Sequence, residues 1–408
     1  MKILFISNLY PPHYLGGYEI LCQQVCEDLQ KRGHNSVVLT STHGVKEAPT
    51  GEIPPNIHRI LKLYNPFGRP AKLMRAQRWI VGRRNYGLTK AFVAKERPDV
   101  IFIWSQLRMG LGSAQAALDS GIPVAYTFND FHVAGYRSAQ FGLTPKAFGK
   151  YVADHWIFRG ITFKGQDFKH ATCISHMLKM KLLEKGLPIK DARVIYQGIP
   201  VDKFPKKAEP GKITHPPRLL YVGQLHPYKG VHTLIEAAHL IADGMKRNPG
   251  SPHLRLGVSI VGDGPEEYKR QLMKKAQQGH ADIEFAGKIA QPELPGIYRE
   301  HDIFVFPSAW QEPFGLTHLE AMASGTPVIS TADGGHGEFL KDGENALIFE
   351  KENPRGLAAK ISRLISDNEL ARRLAATARA MVEQEFALQR YVTDIEAFLQ
   401  EVARGENR

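Results

Sequence analysis

Residues 308–327 read SAWQEPFGLTHLEAMASGTP, and this stretch indicates how the chain folds. The apolar run Ile303–Phe306 precedes it and predicts a buried strand. A helix is predicted from Leu316, and the run Val328–Ser330 predicts the next strand. Two strands joined by a loop and a helix are typical of a β-α-β unit in a parallel sheet.

The same alternation continues on both sides of this unit. Behind residue 217 the predicted elements are the strands Arg218–Val222, Leu254–Val261 and Ile283–Phe285 and helices from Val231 and Glu266. In the front half they are the strands Ile3–Ile6, Val37–Leu39, Val100–Trp104, Val124–Tyr126, Ala171–Ile174 and Val194–Tyr196 and a helix over Glu19–Arg32. The pattern predicts an α/β protein with parallel sheets covered by helices on both faces.

The alternation breaks once, over the Pro-, Lys- and Gly-rich residues 203–217. We interpret this segment as a linker. It divides the chain into two doubly wound domains, residues 1–204 and 205–387, and a last helix over residues 388–408 is expected to pack back on the first. In open parallel sheets ligands bind at the carboxyl ends of the strands, so we expect the site in a cleft between the two domains.

Composition excludes several classes of protein. The 408 residues are 43% hydrophobic and 23% charged, which is typical of a globular chain. Three cysteines do not make a disulfide framework, and Cys22 and Cys26 are predicted to be buried thiols. The first apolar run is too short for a signal peptide, and no apolar run of membrane-spanning length occurs. We therefore expect a cytoplasmic protein.

The net charge of +12 is unevenly distributed. The first 200 residues carry 27 Lys and Arg against 13 Asp and Glu, whereas the remainder carries 26 against 28. The excess is densest between Ile53 and Arg97, where Glu96 is the single acidic residue. An anionic partner of the front half is expected, although no nucleic-acid-binding motif occurs and we expect none to bind.

The basic stretch within that region mixes cations with apolar residues and Trp79. Its candidate anion-binding residues are Lys72, Arg75, Arg78, Arg83 and Arg84. A basic amphipathic helix binds anionic membrane surfaces, and peripheral association with the inner membrane face is one hypothesis. An acidic or phosphorylated acceptor glycan or lipid is a second, and a solvated face without a partner is a third.

Residues 308–327 also carry candidate chemistry. Gly315 permits close approach of a ligand to the backbone, and the amides from Gly315 to His318 are expected to be unpaired donors for phosphate at a helix start. Glu312 precedes that helix at a position suited to a sugar. Glu320 lies further into the helix, where it binds ribose hydroxyls or, alternatively, serves as a capping carboxylate.

These residues resemble the signature of the family-4 retaining glycosyltransferases of the GT-B fold, which have two Rossmann-like domains. Further motifs extend the resemblance over nearly the whole chain. They are Pro11-Pro12 with Gly16-Gly17, Arg32-Gly33-His34, Gln197-Gly198-Ile199, residues 221–230 (YVGQLHPYKG), residues 261–265 (VGDGP) and residues 283–287 (IEFAG).

The resemblance implies a nucleotide-sugar donor bound mainly by the rear domain, without a metal or other cofactor. It implies catalytic roles for Lys229, which neutralises the diphosphate, and for Glu312, which faces the anomeric carbon. The implied donor-binding residues are Gly16, Gly17, Gln224, Lys229, Glu312, Phe314, Gly315, Leu316, Thr317 and Glu320. Without the resemblance, Lys229 could be an exposed lysine in a turn, and Gly16-Gly17 could be an ordinary turn.

Two positions depart from the family pattern. Gln224 stands where an Arg is common, and a neutral amide gives up a charge-assisted hydrogen bond. On the acceptor side the family often has His-Asp, and here Asn129 precedes Asp130 while His132 follows. These three residues are acceptor-side candidates, with a turn or capping role as the alternative.

The resemblance predicts a metal-independent hexosyltransferase that passes a sugar to a saccharide or lipid-linked acceptor in cell-envelope or polysaccharide synthesis. A non-hydrolysing nucleotide-sugar epimerase is the first alternative, since it shares the fold. A non-catalytic protein that binds nucleotide sugars or anionic glycans is the second. Products formed without an acceptor, or donor binding without turnover, distinguish these alternatives.

Overall fold

The structure is a computed structural model that describes residues 1–44, 54–64, 74–141, 143–158, 160–163, 165–246 and 255–405. Within these ranges the chain forms two compact units. Unit 1 comprises Met1–Tyr196 and Val392–Arg408, and unit 2 comprises Gln197–Tyr391. The division falls eight residues before the boundary expected from the sequence.

Unit 1 contains a parallel sheet, whose seven described strands have the order β3-β2-β1-β4-β5-β6-β7. The strands are β1 Lys2–Ile6, β2 Asn35–Ser41, β3 Ile57–Leu61, β4 Val100–Ile103, β5 Val124–Phe128, β6 Ala171–Cys173 and β7 Arg193–Val194. The helices are α1 Gly17–Lys31, α2 Met74–Glu96, α3 Gly112–Leu118, α4 Pro145–Val152 and α5 His176–Glu184, and a π-helical turn over Ala153–Ile157 follows α4.

The central strand of unit 1 shows why this sheet forms. In β1, Leu4 is opposite Val37 on one side and Ile101 on the other. Ile3 through Ile6 are fully buried, as expected for a strand covered on both faces. The three cysteines are free and buried, which confirms the prediction of core thiols for Cys22 and Cys26.

Unit 2 repeats the arrangement with six described strands in the order β10-β9-β8-β11-β12-β13. The strands are β8 Arg218–Val222, β9 Gly257–Val261, β10 Asp282–Gly287, β11 Ile303–Phe306, β12 Val328–Ser330 and β13 Leu347–Ile348. The helices are α6 Val231–Lys246, α7 Glu266–Ala276, α8 Leu294–Glu300, α9 Leu316–Ala323, α10 Pro354–Ser366, α11 Asn368–Glu385 and α12 Leu388–Arg404.

The strand order of unit 2 reverses between β8 and β11, where Ile303 pairs with Leu219. In a doubly wound sheet, loops that leave the carboxyl ends of two such strands diverge and open a crevice. The expectation of two Rossmann-like doubly wound sheets is therefore confirmed. The same topology predicts a ligand crevice at the loops after β8 and β11.

The segment interpreted as a linker has little regular structure, but it packs on unit 2. Lys207 and Gly211 donate backbone hydrogen bonds to the carbonyls of Ser324 and Gly325. The Cβ-free Gly211 also lies directly against the backbone of Ala371. The segment therefore forms part of the surface of unit 2.

The last helix, α12, spans the division between the units. Its residues from Val392 onward belong to unit 1, where Glu396 accepts a 2.8 Å hydrogen bond from Arg32. His34 lies 2.7 Å from the same carboxylate. These contacts attach the end of the chain to the turn after α1. In the described part of the chain, no helix has both the length and the apolar character needed to cross a membrane.

Candidate functional site

A buried ion pair lies at the point where the strand order of unit 2 reverses. Lys229 Nζ is 2.7 Å from both Oε1 and Oε2 of Glu312. The two side chains retain 11% and 9% of their exposure, respectively. Ser308 Oγ donates a third hydrogen bond, 2.6 Å long, to Oε1 of the same carboxylate. The alternative of an exposed turn lysine at Lys229 is wrong.

The backbone around Lys229 positions its side chain. Lys229 ends a short 3-10 helix after β8, and Gly230 follows it with φ of 70°. A Cβ at Gly230 would lie 1.9 Å from the carbonyl oxygen of Pro307, so only glycine fits between these two loops. On the other side, the Gly335 N–H donates to the Glu312 carbonyl at 2.7 Å. The two charged residues are therefore held by close backbone contacts.

Aromatic rings enclose the ammonium group. Lys229 Nζ lies 5.8, 5.7 and 5.1 Å from the ring centroids of Tyr228, Phe306 and Trp310. Ring faces at this distance attract a cation, the more so where water is excluded. Burial and the carboxylate of Glu312 raise the pKa of Tyr228, and burial and Lys229 lower the pKa of His226. Ser308 and Trp310 were not among the candidate residues predicted from the sequence, although both lie within residues 308–327.

Helix α9 begins beside this pair. Gly315 precedes it with φ of 137°, and Gly315, Leu316 and Thr317 are each partly exposed. Among the described residues, the amides of Leu316 and Thr317 have no hydrogen-bond acceptor. The expectation for His318 was wrong, because its N–H donates to the Gly315 carbonyl at 3.1 Å. Two amides and the positive end of the helix dipole therefore form a donor site for an anion.

The side chains beneath this loop belong to the core. Phe314 is 2% exposed and packs on Phe339 and Phe386 at ring distances of 5.4 and 6.1 Å, which leaves only its backbone for a ligand. His318 stacks on His336 at 5.0 Å, and burial lowers the pKa values of both imidazoles. The sequence analysis did not predict this pair of neutral histidines.

Glu320 lies in the second turn of α9 and is 8% exposed. Its Oε2 accepts a 2.8 Å hydrogen bond from the Tyr298 hydroxyl. Burial raises the pKa of Glu320 to about 7, although the Tyr298 hydrogen bond opposes the shift. The first turn of α9 holds no acidic residue, so the capping alternative is not supported. Gln224, by contrast, has an exposed side chain, and its carbonyl accepts from the Tyr221 hydroxyl at 2.8 Å.

The glycine pair of the front half lies in unit 1, at the start of α1. The Gly16 N–H donates to Glu19 Oε2 at 2.9 Å, and Gly17 is the first residue of the helix. Glu19 is fully buried, and burial raises its pKa to about 7 against the opposing effect of the Gly16 hydrogen bond. The glycines thus form a helix start whose carboxylate partner was not predicted.

Asn129, Asp130 and His132 line a small pocket in unit 1, at the carboxyl ends of β4 and β5. The Asn129 amide donates to the Trp104 carbonyl at 2.9 Å, and the His132 N–H donates to Asp130 at 2.8 Å. Burial raises the pKa of Asp130, but the charge and hydrogen bonds of His132 outweigh it and lower the pKa overall.

The same pocket contains polar atoms that the sequence analysis overlooked. Within the described structure, Gln106 Oε1 and Thr127 Oγ1 are buried without a hydrogen-bond partner. An unmade hydrogen bond of this kind costs about 1–3 kcal/mol. Such atoms are expected where a polar ligand completes the set, so the pocket is a second candidate site.

Of the candidate anion-binding residues of the front half, two are engaged within the protein. Arg75 Nε donates to Asp154 Oδ1 at 2.6 Å, and Arg78 lies 4.9 Å over the ring of Tyr136. Arg83 and Arg84 are exposed, and Lys72 lies outside the described residues. The basic face expected from the sequence is therefore smaller than predicted. Arg75 and Arg78 contact other elements of the protein, and Arg83 and Arg84 remain exposed on α2.

No group of three or more His, Cys, Asp or Glu side chains within the described ranges is arranged to hold a metal ion. The loops after β8 and β11 bring together one ammonium group, the buried carboxylate beside it and two helix amides that have no acceptor among the described residues. The ammonium group and the helix amides suit a phosphate. The carboxylate suits hydroxyl groups or a developing positive charge.

Comparison with known proteins gives the same two halves. Residues 15–203 match the family model described as Glycosyltransferase Family 4, and residues 202–381 match the model described as Glycosyl transferases group 1. Glycogen synthase of Mycobacterium tuberculosis is 27% identical over 427 residues, covering 100% of this chain and 96% of that protein.

Two further similarities differ in extent. Spore coat protein SA of Bacillus subtilis is 31% identical over 179 residues, 43% of this chain; the match spans about half of that relative, 47%. The crystal structure of HepE from Anabaena in complex with UDP-glucose aligns with a TM-score of 0.66 and 19% identity. It covers 98% of this chain and 100% of that one, which shows a shared fold.

Proposed function

Since the chain belongs to the family-4, group 1 glycosyltransferases, we propose that it transfers a hexose from a nucleotide-sugar donor to a saccharide or lipid-linked acceptor with retention of anomeric configuration. The observation that carries the proposal is the buried Lys229–Glu312 pair at the reversal of strand order in unit 2. The complex of HepE with UDP-glucose supports a uridine diphosphate sugar as the first donor to test.

In the proposed reaction the bond between the anomeric carbon and the diphosphate oxygen breaks, and the diphosphate gains negative charge. Lys229 Nζ is the cation that meets this charge, and the free amides of Leu316 and Thr317 supply two further donors. Donors already oriented in a site with little water need no reorganisation as the charge develops. This arrangement favours the leaving group most in the transition state.

Glu312 is assigned to the sugar. Its carboxylate is held by Lys229 and Ser308, and it accepts hydroxyl groups of the hexose once Lys229 turns to the diphosphate. Its negative charge then faces the positive character at the anomeric carbon. The acceptor oxygen bonds to the anomeric carbon on the face that the diphosphate leaves. The acceptor proton passes to the departing phosphate oxygen, which retains configuration without a covalent enzyme intermediate.

We assign the acceptor to the unit 1 pocket lined by Asn129, Asp130 and His132. The unpaired Gln106 and Thr127 oxygens there match the hydroxyl groups of a saccharide. The proposed context is synthesis of cell-envelope or other polysaccharide. Since Lys229 and the helix start already address the diphosphate, we propose that no metal ion or other cofactor takes part.

The proposal is tested by incubating the purified protein with labelled nucleotide sugars and a panel of saccharide and lipid-linked acceptors. Transfer to an acceptor, lost in Glu312→Ala and Lys229→Ala but kept in the exposed-site controls Glu350→Gln and Lys274→Ala, supports it. Conversion of the donor sugar without an acceptor would identify an epimerase instead. Donor binding without any product would identify a binding protein.

A further inference from the structure

Exposed apolar side chains are concentrated in one short segment of unit 1. Of the thirteen large apolar residues found exposed in the described structure, five lie within the seventeen residues 141–157. They are Phe141, Leu143, Phe148, Trp156 and Ile157, with exposed fractions of 63, 94, 50, 69 and 60%. We call these five residues the α4 surface, because helix α4 forms its middle. Such a concentration of exposed apolar side chains in one segment is typical of an interaction site.

The α4 surface is an organised structure. The ring of Phe141 lies 6.1 Å from that of Phe148 and 5.6 Å from that of Tyr151, in edge-to-face geometry. Helix α4 is capped at Thr144, whose hydroxyl accepts the Ala147 N–H at 3.2 Å, and yet it buries none of its side chains. A helix that is formed and capped but contributes nothing to the core presents its apolar face to something else.

The first half of α2 packs against the π-helical turn that carries Trp156 and Ile157 and against the residue after it. Arg75 pairs with the buried Asp154 of the π-helical turn, and Trp79 packs on Phe158 at 6.3 Å. Arg83 lies over the ring of Trp79 at 5.3 Å with an exposed side chain. Because Asp154 is buried and neutralised, it adds no negative charge to the exterior.

The charge around the α4 surface is positive. Between residues 131 and 166 the sequence contains one acidic residue, the neutralised Asp154. Lys146 and Lys150 project from α4 itself, both exposed, and neither they nor Arg83 has an ion-pair partner within the described residues. Aromatic and apolar side chains enter the interfacial layer of a bilayer, and cations beside them attract anionic headgroups.

We infer that the α4 surface, with Lys146, Lys150 and Arg83, docks the protein on an anionic lipid bilayer. A single bilayer surface satisfies both the apolar and the cationic components, whereas a small anionic solute leaves the aromatic residues in water. The inference goes beyond the proposed function, since it requires neither donor nor transfer. The sequence had suggested the basic stretch of α2 as a membrane contact. Because Arg75 and Arg78 contact other parts of the protein, we place the contact at α4 instead.

The test is sedimentation of the full chain with vesicles of phosphatidylcholine, with and without phosphatidylglycerol, at low and high salt. We expect binding to the anionic vesicles only, weakened by salt, and a blue-shifted Trp156 emission on binding. Lys146→Glu/Lys150→Glu is expected to weaken the partition coefficient about tenfold or more, at about 1 kcal/mol for each basic residue near the surface. Phe148→Ser/Trp156→Ser is expected to weaken it to a similar degree.

Matched controls lie on unit 2, where Met273 and Lys274 are exposed. Met273→Ser and Lys274→Glu should bind vesicles like the parent chain, and the melting temperature of each variant reports that it is folded. Equal binding to neutral vesicles, or binding unaffected by the α4 variants, would overturn the inference. A dimer in solution that the Phe148→Ser/Trp156→Ser variant dissociates would also overturn it and assign the surface to a second copy of the chain.

Discussion

Lys229 and Glu312 are 83 residues apart in sequence, and Lys229 Nζ contacts both oxygens of the Glu312 carboxylate at 2.7 Å. The pair is nearly buried, so each charge depends on the other for solvation. The Lys229–Glu312 pair is therefore expected to affect the stability of the fold as well as the proposed reaction, and mutations can separate the two effects.

The first prediction separates them. Lys229→Met leaves a buried carboxylate without its cation and is expected to cost about 3–5 kcal/mol in the free energy of unfolding. The double variant Lys229→Met/Glu312→Gln removes both charges and should recover most of that stability. Transfer activity should stay at least about a hundredfold below the parent in both variants. Chemical denaturation and initial rates measure the two effects, and recovery of activity in the double variant would contradict the proposed roles.

The second prediction concerns Gly230. Gly230→Ala places a methyl group against the Pro307 carbonyl at a left-handed backbone position, and we expect a loss of about 3 kcal/mol or more with loss of donor binding. Gly287 has φ of 69° and no atom near its missing Cβ, so Gly287→Ala carries the backbone penalty alone, about 1 kcal/mol. Equal melting temperatures in the two variants would refute the clash.

The third prediction is a dependence of stability on pH. The pKa of Glu320 is raised to about 7 from 4.5, so between these values the native state binds a proton that the unfolded state has released. The Glu320 contribution is fully present below pH 4.5, falls as the pH rises and is lost above about 7, by at most about 3 kcal/mol.

Glu320→Gln keeps the side chain neutral at every pH, so the free energies of unfolding of the parent and the variant should be closest below pH 4.5 and should separate, with the variant the more stable, as the pH rises toward 7. Glu19 has its pKa raised in the same sense and continues to contribute in the variant. Guanidinium titrations at several pH values measure the difference. A parent and variant that keep a constant separation across this range would rule out the shift at Glu320.

The fourth prediction tests the acceptor pocket. Thr127→Val keeps the shape of the side chain and removes the unpaired hydroxyl, so the KM for the acceptor should rise several-fold while donor binding is unchanged. Thr40 also has a buried unpaired hydroxyl but does not line the pocket, which makes Thr40→Val the matched control. If Thr127→Val changed only the affinity for the donor, the assignment of the acceptor to this pocket would be wrong.

The fifth prediction follows from the proposed roles of Lys229 and the helix amides at the diphosphate. Activity measured after exhaustive treatment with EDTA should equal that of the untreated enzyme, and added magnesium or manganese should leave kcat unchanged. A loss of rate on chelation that a divalent metal restores would show that these groups are insufficient for the leaving diphosphate.

The sequence predicted the strands closely where apolar runs are short and bounded. Arg218–Val222, Ile303–Phe306 and Val328–Ser330 match β8, β11 and β12 residue for residue. Strand β3, Ile57–Leu61, was missed because its half-buried residues include His58 and Arg59 and show no apolar run. Leu254, the predicted start of β9, lies outside the described residues, and the described strand begins at Gly257.

The site was predictable to the extent that it is local. Glu312, Gly315 and Glu320 lie in one segment, and Lys229 follows a recognisable loop. The contact of Glu312 with Lys229, and the reach of Trp310 to Lys229, depend on the adjacency of β8 and β11, which no local pattern encodes. The same holds for Arg75, whose buried partner Asp154 is 79 residues away.

Both oxygens of the Glu312 carboxylate accept from Lys229, so a ligand that binds Lys229 must first displace these contacts. A simple anion that enters gains the ammonium group and the two helix amides, but it must displace two 2.7 Å contacts and leaves the Glu312 carboxylate without its cation. In the proposed binding mode a nucleotide sugar compensates for both losses, because its diphosphate replaces Glu312 at Lys229 while its hydroxyl groups donate to the released carboxylate. If the proposed donor site is correct, the resting ion pair should therefore discriminate against inorganic phosphate and favour ligands that carry a diphosphate and a sugar together.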